Sequence, residues 1–193
     1  IVDGAHVPGH IDLDLNEMDA DIYVGACHKW LLCTKGVSFP YVTRELQHMI
    51  EPLIISWGYE NDDYHHTPFQ NHHIWQGTQD ISNYLTIPSA LKFRENYNWE
   101  AVTDISKDMI LEFNKQVHQL LNVDPIVMDD PKKWLGQMCT FPFNMELNDI
   151  DKMQCKLRDH YQIEIPVINW NNNAYLRISI NGYNDWNDIE KLF

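Results

Sequence analysis

The first ninety or so residues carry short apolar runs that end in small or polar residues. Two such runs lie at residues 1–2 and 22–24, and this pattern is typical of buried parallel strands. The stretch between them is long enough for a crossover, and residues 36–42 follow as a third strand. Pro40 cannot donate a hydrogen bond to a ladder, so we expect this strand at a sheet edge or a bulge.

Helical spacing dominates the middle of the chain. Residues 81–96 predict a helix that is kinked or restarted at Pro88. A second, longer helix is predicted from Trp99, with Asn98 as its N-cap, and it could join two domains. Its apolar positions recur every three or four residues: Val102, Ile105, Met109, Phe113, Val117 and Leu120. Residues 56–80 show little periodicity and are predicted to lack regular structure.

The remainder of the chain predicts a small α+β unit. Its elements run strand, helix, strand, strand, helix, at residues 137–143, 149–161, 163–167, 174–180 and 186–193. The predicted domains are therefore 1–97, an α/β unit, and 98–193, the linking helix with the α+β unit.

Composition and charge exclude several classes of function. A net charge of −14 over 193 residues argues against nucleic-acid binding. No apolar run approaches the roughly 18 residues of a spanning helix. The four cysteines are too few for a disulfide framework and favour a reducing, cytoplasmic setting. The chain opens in a strand-like run with no lead-in, which predicts that it is the C-terminal part of a longer protein.

Polar side chains follow the first two predicted strands. Asp3 comes after the first strand and Lys29 after the second, with His6 and His28 beside them. The carboxyl ends of parallel strands joined by a crossover lie at the same edge of the sheet. We therefore expect a carboxylate, a lysine and two imidazoles to converge at that edge.

Pyridoxal phosphate is a cofactor that uses such a set. It forms an imine with a lysine amine, and a carboxylate keeps its ring nitrogen protonated. The residues alone also allow Lys29 to be a solvated lysine, Asp3 to be a turn former in Asp3-Gly4, and both histidines to be ordinary loop residues.

Four separated motifs resemble the class V aminotransferase superfamily, which comprises fold type I pyridoxal-phosphate enzymes, and within it the isopenicillin N epimerase-like group. The motifs are VDGAHVPG, CHKWLLCTKG, WQGTQDISNYLTIPSA and YLRISINGYNDWNDIEKL. The resemblance implies the C-terminal portion of a PLP-dependent transferase large domain, with a mainly parallel sheet and helices, followed by a small α+β C-terminal domain. It also implies that the family's large domain begins well upstream.

The resemblance implies a role for each of five residues around the lysine. Lys29 stands at the Schiff-base lysine, and His28 beside it helps to hold the phosphate. Asp3 corresponds to the partner of the pyridinium nitrogen. Ala5 packs on the ring face, and His6 contacts the phenolic oxygen.

Three further residues take roles from the same resemblance. Gly77 and Thr78 correspond to a loop that reaches the cofactor of the neighbouring subunit in a homodimer. Arg177 matches the arginine that binds the α-carboxylate of the amino-acid substrate. Independently, Arg177 alternates with apolar residues in YLRISI, so it faces away from their side of the strand.

Two positions depart from the family pattern. Ala26 stands where the family often has a hydroxyl or amide on the phosphate, and Thr34 stands where proline is usual. One phosphate contact is therefore expected to be missing. The upstream segments that stack on the ring and cradle the phosphate are not in this sequence, so we expect the chain alone to hold the cofactor poorly.

The favoured function is a PLP-dependent enzyme acting on an amino acid by epimerase-like or aminotransferase-like chemistry. A cysteine desulfurase or lyase of the same superfamily is an alternative. A desulfurase needs a nucleophilic cysteine on a flexible loop, whereas Cys139 lies in a strand-like run and Cys27 and Cys33 have the pattern of packing residues. A catalytically inactive fragment is another alternative.

A zinc hydrolase is an alternative from a different class, because histidines are plentiful. The sequence has no HExxH motif, and the spacing of Cys27, His28 and Cys33 is not a standard zinc pattern.

Overall fold

The computed structural model describes residues 1–61, 65–124, 126 and 129–193. The chain separates into two compact units, Ile1–Glu95 and Asn96–Phe193. The assignment of residues 1–97 and 98–193 to separate domains stays a prediction. Among the described residues, no helix has the length and apolar character needed to cross a membrane.

The N-terminal unit is built on a three-stranded sheet. Its strands, in spatial order, are β1 (Val2–Gly4), β2 (Ile22–Ala26) and β3 (Ser38–Val42). β1 and β2 are parallel, as predicted, whereas β3 runs antiparallel to β2. The sheet is therefore mixed, because the segment between β2 and β3 turns straight back instead of crossing over. The edge position of β3 agrees with the presence of Pro40.

Helices α1 (Pro68–Ile74) and α2 (Ile87–Asn96) follow the sheet. The predicted restart at Pro88 is confirmed, because Pro88 lies in the first turn of α2, after a 3₁₀ turn at Tyr84–Thr86.

The expectation that residues 56–80 lack regular structure is wrong, because α1 lies within them. The Thr67 side chain accepts a hydrogen bond from the backbone N–H of Gln70, and the Gln70 side chain accepts one from the Thr67 N–H. The sequence Thr-Pro-Phe-Gln carries this capping-box signal, which compensates for the weak apolar periodicity.

Close packing fixes the ends of β1 and β2. Tyr23 is fully buried, and its hydroxyl donates a hydrogen bond to the carbonyl of Gly4 at 3.1 Å. A Cβ at Gly4 would lie 2.0 Å from the Tyr23 ring, so only glycine fits there. The buried cluster of this unit consists of Cys27, Cys33, Val37 and Ala90.

The C-terminal unit combines helices with an antiparallel sheet. Its elements are α3 (Trp99–Leu121), α4 (Pro131–Trp134), β4 (Met138–Pro142), α5 (Ile150–Tyr161), β5 (Val167–Trp170), β6 (Asn173–Ser179) and α6 (Trp186–Glu190). The strand order is β4-β6-β5. The core contains Met109, Ile110, Phe113, Val117, Cys139, Phe141, Val167, Leu176, Ile178, Ile180 and Ile189.

One local prediction for this unit is wrong. The strand expected at 163–167 lies at Val167–Trp170 instead. Gln162 adopts a left-handed backbone and the Ile163 N–H donates to the carbonyl of Leu157, so this segment closes the end of α5 before the strand begins. Asn98 occupies the N-cap of α3, as predicted, although its backbone is left-handed and its side chain makes no capping hydrogen bond.

Candidate active site

The ends of β1 and β2 bring His6 and Lys29 together. His6 follows β1 by two residues and Lys29 follows β2 by three. Because the two strands are parallel, both side chains emerge at the same edge of the sheet. The Nε2 atom of His6 lies 3.1 Å from the Nζ atom of Lys29. The structure therefore places an amine against an imidazole at the edge that the sequence indicated.

Trp30 completes this group, and the sequence analysis assigned it no role. Its indole N–H donates to Nδ1 of His6 at 3.1 Å. Its ring is 7% exposed and stacks on His10, with centroids 4.4 Å apart. Its carbonyl accepts a hydrogen bond from Arg94 at 2.9 Å. The signal in the sequence that could have pointed to Trp30 is its position directly after Lys29. A buried tryptophan N–H needs an acceptor nearby.

His28 is held by the turn that leads into β3. Its Nδ1 lies 2.9 Å from the carbonyl oxygen of Val37, to which the Cys27 N–H also donates. Because a carbonyl only accepts, Nδ1 of His28 carries the proton. In the neutral ring, Nε2 is then the acceptor. The backbone therefore fixes the orientation and tautomer of this imidazole.

Asp3 lies in β1 beside Val24 of β2, and its side chain is exposed. One carboxylate oxygen accepts a hydrogen bond from the N–H of Ala5 at 3.0 Å. The turn-forming role that the sequence allowed for Asp3 is thus present. Its pairing with a pyridinium nitrogen, and the packing of Ala5 on a ring face, stay predictions.

Gly77 and Thr78 form a bend after α1. Gly77 has a φ of +110°, and a Cβ there would meet no atom within 4 Å. Glycine is therefore favoured at this position by its positive φ angle and not by a lack of space for a side chain. Thr78 is exposed. Their contact with a neighbouring subunit stays a prediction.

Arg177 lies on β6 between Leu176 and Ile178, which are buried in the core of the C-terminal unit. It lines a cavity of about 430 Å³ within this unit. Its Nε atom is buried and has no hydrogen-bond partner among the described residues. An unsatisfied buried donor is costly, so this atom suits an acceptor supplied by a ligand or by water.

Three of the four thiols are buried. Burial raises the pKa of Cys139 to about 12, and its thiol donates to Asn114 at 3.2 Å. Burial, followed by the repulsion between the two thiols, also raises the pKa of Cys27, and burial is the largest cause of the raised pKa of Cys33. These three groups stay protonated near neutral pH and behave as packing residues, as the sequence indicated. Cys155, on α5, is exposed.

The histidine-rich stretch forms no metal centre within the part of the chain that the structure describes. No group of three or more histidine, cysteine, aspartate or glutamate side chains there could hold a metal ion. His73 instead contacts the carbonyl of Phe69 through Nδ1, one turn earlier in α1, and its ring lies tilted against that of Phe69 with centroids 4.5 Å apart.

Comparisons with known proteins identify the family to which this chain belongs. The family model for aminotransferase class-V matches residues 1–192. Isopenicillin N epimerases from Amycolatopsis lactamdurans and Streptomyces clavuligerus are 27% and 29% identical, and each match covers 100% of this chain and 50% of the relative. An L-cysteine desulfhydrase from Arabidopsis thaliana is 26% identical, over 99% of this chain and 45% of the relative.

Solved structures show the same fold. A cysteine desulfurase from Thermococcus onnurineus NA1 matches with a TM-score of 0.73 and 18% identity, over 98% of this chain and 49% of the other. A mutant of C-DES with glycine covalently linked to its PLP cofactor matches with a TM-score of 0.69 and 16% identity, over 98% and 49%.

The chain spans about half the length of the curated relatives it matches. Its fold is that of a part of the PLP-dependent fold type I enzymes, with an α/β unit followed by an α+β unit. The match of the family model over residues 1–192 means that this chain belongs to the aminotransferase class-V family of PLP-dependent enzymes.

Proposed function

We propose that this chain supplies the cofactor-binding lysine, Lys29, of a PLP-dependent enzyme that acts on an amino acid by epimerase-like or aminotransferase-like chemistry. The observation that carries the proposal is the 3.1 Å contact between Lys29 and His6 at the shared edge of β1 and β2. Ligands of α/β folds bind at this edge of the strands.

The residues at this edge fit the cofactor in their chemistry. The amine of Lys29 suits its aldehyde, and the carboxylate of Asp3 suits its ring nitrogen. The imidazole of His6 suits its phenolic oxygen, the imidazole of His28 suits its phosphate in the cationic form, in which Nε2 also donates, and Ala5 leaves room for a ring face. When bound, PLP withdraws electrons from the substrate α-carbon and so weakens its bonds.

The side chains supply binding and proton transfer around that chemistry. The free amine of Lys29 would take a proton from the α-carbon and return one, as a general base and acid. An epimerase-like reaction would return a proton to the opposite face of the α-carbon, which takes a donor other than Lys29. Arg177 would bind the α-carboxylate, because its planar guanidinium suits bidentate contact and its buried Nε has no partner among the described residues.

A desulfurase or lyase reaction is the second candidate. It is favoured by the relationship to an L-cysteine desulfhydrase. A desulfurase mechanism that uses a cysteine nucleophile is disfavoured for Cys27, Cys33 and Cys139, which are buried and have raised pKa values. The family match also favours pyridoxal-phosphate chemistry over a zinc hydrolase. If no adduct forms on Lys29 in the test below, the remaining alternative is a catalytically inactive chain.

The assembly and location are also proposals. A homodimer would place Gly77 and Thr78 at the cofactor of the partner subunit, and the exposure of Thr78 supports this. The small number of scattered cysteines in the sequence supports a cytoplasmic location.

The test is to locate the cofactor on the full-length protein. Incubation with PLP, reduction with borohydride and peptide mapping should place the stable adduct on Lys29, and Lys29→Ala should abolish it. The neighbouring Lys35 is the internal control, because it is exposed and six residues away. An adduct on Lys35 instead of Lys29 would overturn the proposal.

A second variant separates cofactor binding from turnover. Asp3→Ala should leave the adduct on Lys29 and lower turnover sharply, because a ring nitrogen without its carboxylate is less protonated and withdraws electrons less well. Unchanged turnover would remove Asp3 from the site and leave Lys29 in place.

A further inference from the structure

Three side chains form a linear set of contacts at the edge of the N-terminal sheet. The indole N–H of Trp30 donates to Nδ1 of His6 at 3.1 Å, and Nε2 of His6 lies 3.1 Å from Nζ of Lys29. The imidazole thus stands between an indole and an amine. The two contacts use different nitrogens of one ring, so the state of one constrains the other.

Trp30 decides which nitrogen of His6 carries the proton. An indole N–H donates and never accepts, so Nδ1 of His6 must present a lone pair to it. A neutral imidazole has one N–H, which must then be on Nε2. A cationic imidazole would set an N–H of its own against the indole N–H and lose this bond.

The Nε2–H of His6 in turn decides what Lys29 can be. A hydrogen bond from Nε2–H to Nζ requires a lone pair on nitrogen, which a neutral amine has and an ammonium lacks. An ammonium at Lys29 would point its N–H groups at the N–H of His6. The contact is therefore satisfied by the neutral amine, which is the form that attacks a carbonyl carbon.

Trp30 is held firmly enough to impose this order. Its side chain is 7% exposed, and its ring stacks on His10 at 4.4 Å. Arg94 donates to its carbonyl at 2.9 Å. His28 shows the opposite arrangement, with its proton directed from Nδ1 to a backbone carbonyl, so the fold sets the two imidazoles of the site in different tautomers.

We propose that Trp30 is a positioning residue that fixes His6 as the Nε2–H tautomer, and that this tautomer holds Lys29 as a neutral amine ready to react. The proposal rests on the proposed function only in that it takes Lys29 as the cofactor lysine. Trp30 touches neither cofactor nor substrate in this role and acts through His6.

The first test removes the indole N–H and keeps a smaller aromatic ring in its place. Trp30→Phe keeps an aromatic ring against His10, and Trp57→Phe is the matched control because Trp57 is 86% exposed. Nitrogen-15 NMR of histidine-labelled protein should show His6 as Nε2–H in the wild type and in Trp57→Phe, and as a mixture of tautomers in Trp30→Phe. An unchanged His6 tautomer in Trp30→Phe overturns the proposal. His28 should keep its Nδ1–H form in every variant, which reports that the site is folded.

The second test reads the amine directly, without cofactor. Trace acetylation with acetic anhydride and peptide mass spectrometry give the ratio of labelling at Lys29 to that at the exposed Lys35. Trp30→Phe should lower this ratio about fivefold, as expected for the loss of one hydrogen bond. Trp57→Phe should leave it unchanged. A ratio that is equal or higher in Trp30→Phe overturns the proposal.

A second pair of variants decides the question if Trp30→Phe does not fold. A glutamine amide has an acceptor oxygen and a donor N–H, so His6→Gln can accept from Trp30 and donate to Lys29 in the same order. His6→Leu can do neither. His6→Gln should retain the wild-type labelling ratio and His6→Leu should lose it. Equal ratios in both overturn the proposal.

The two proposals fail in different ways. A PLP adduct on Lys29 together with an unchanged labelling ratio in Trp30→Phe overturns the role of Trp30 alone. An adduct on Lys35 overturns the proposed function. The tautomer of His6 is measured without cofactor, so its result does not depend on where the adduct forms.

Discussion

Each of the two units of this chain has its own core, and the two cores differ in size. In the C-terminal unit, a cluster of eleven buried residues draws on α3, the sheet and α6. The cluster in the N-terminal unit has four buried residues, of which two are cysteine and one is alanine. Stabilisation by burial grows with the apolar area removed from water. Burial of its core therefore stabilises the C-terminal unit more than the N-terminal unit.

The N-terminal unit has more exposed large apolar residues than the C-terminal unit, and it also carries the candidate chemistry. Leu53 is fully exposed and Trp57 is 86% exposed. The contact between His6 and Lys29 is made by short segments beyond the strand ends. Reactive side chains commonly lie on segments that a scaffold positions, and this unit follows that pattern.

Hydrogen exchange should show the largest difference between the two units. We predict that the slowest amides in α3 and β6 exchange at least about a hundredfold more slowly than the slowest in β1–β3, since opening free energies range from near zero to the global value. Mass spectrometry of peptides from this 193-residue chain would measure this. Equal protection in both sheets would show that the small cluster of the N-terminal unit suffices.

Phe113→Ala should be the most damaging single truncation in the larger core. Phe113 is fully buried, and its ring lies 5.5 Å from that of Phe141 and 5.4 Å from that of Phe193. We predict a loss of about 3–5 kcal/mol in the free energy of unfolding, measured by urea titration. Leu53→Ala is the control and should change it by less than about 0.5 kcal/mol, because Leu53 is exposed. Similar losses in both variants would contradict this account of the core.

The sequence predicts elements well where one periodicity dominates a long segment. The stripe from Val102 to Leu120 predicted α3, and the alternation in YLRISI predicted β6. It fails where local backbone chemistry decides. The capped end of α5 displaced the expected strand, and a capping box made α1 in a stretch without a stripe.

The site was predictable as an edge of the sheet and not as a set of contacts. Parallel pairing of β1 and β2 follows from their short apolar runs, and it is what brings His6 to Lys29. The order of donors and acceptors depends on ring positions that spacing along the chain does not define. Trp30 was missed for that reason, since only its burial beside His6 shows where its N–H goes.

Alkaline pH should weaken the C-terminal unit through Cys139. Burial raises its pKa from 9.0 to about 12, so the folded chain holds this proton more tightly than the unfolded chain. The resulting stabilisation is complete below pH 9 and is lost as the pH rises towards 12, at about 1.4 kcal/mol per pH unit.

The measurement is the free energy of unfolding at pH 8 and pH 10, compared between wild type and Cys139→Ala. The variant should lose less stability between the two pH values by about 1.4 kcal/mol, whatever its cavity costs at pH 8. Cys155→Ala is the control, because Cys155 is exposed and outside the core, and it should retain the wild-type difference. Identical pH dependence in wild type and Cys139→Ala would contradict the prediction.

The smallest expected effects come from two helix caps, one in each unit. Thr67 caps α1 and Asp185 caps α6, both through capping boxes. Replacing either by alanine should cost its helix about 1 kcal/mol. Because α6 carries Ile189 into the larger core, Asp185→Ala should lower the free energy of global unfolding by that amount. Asn71 is the residue that α1 buries, so Thr67→Ala should speed amide exchange within α1 and leave the global value unchanged. A global loss from Thr67→Ala equal to that from Asp185→Ala would show that the two units unfold as one.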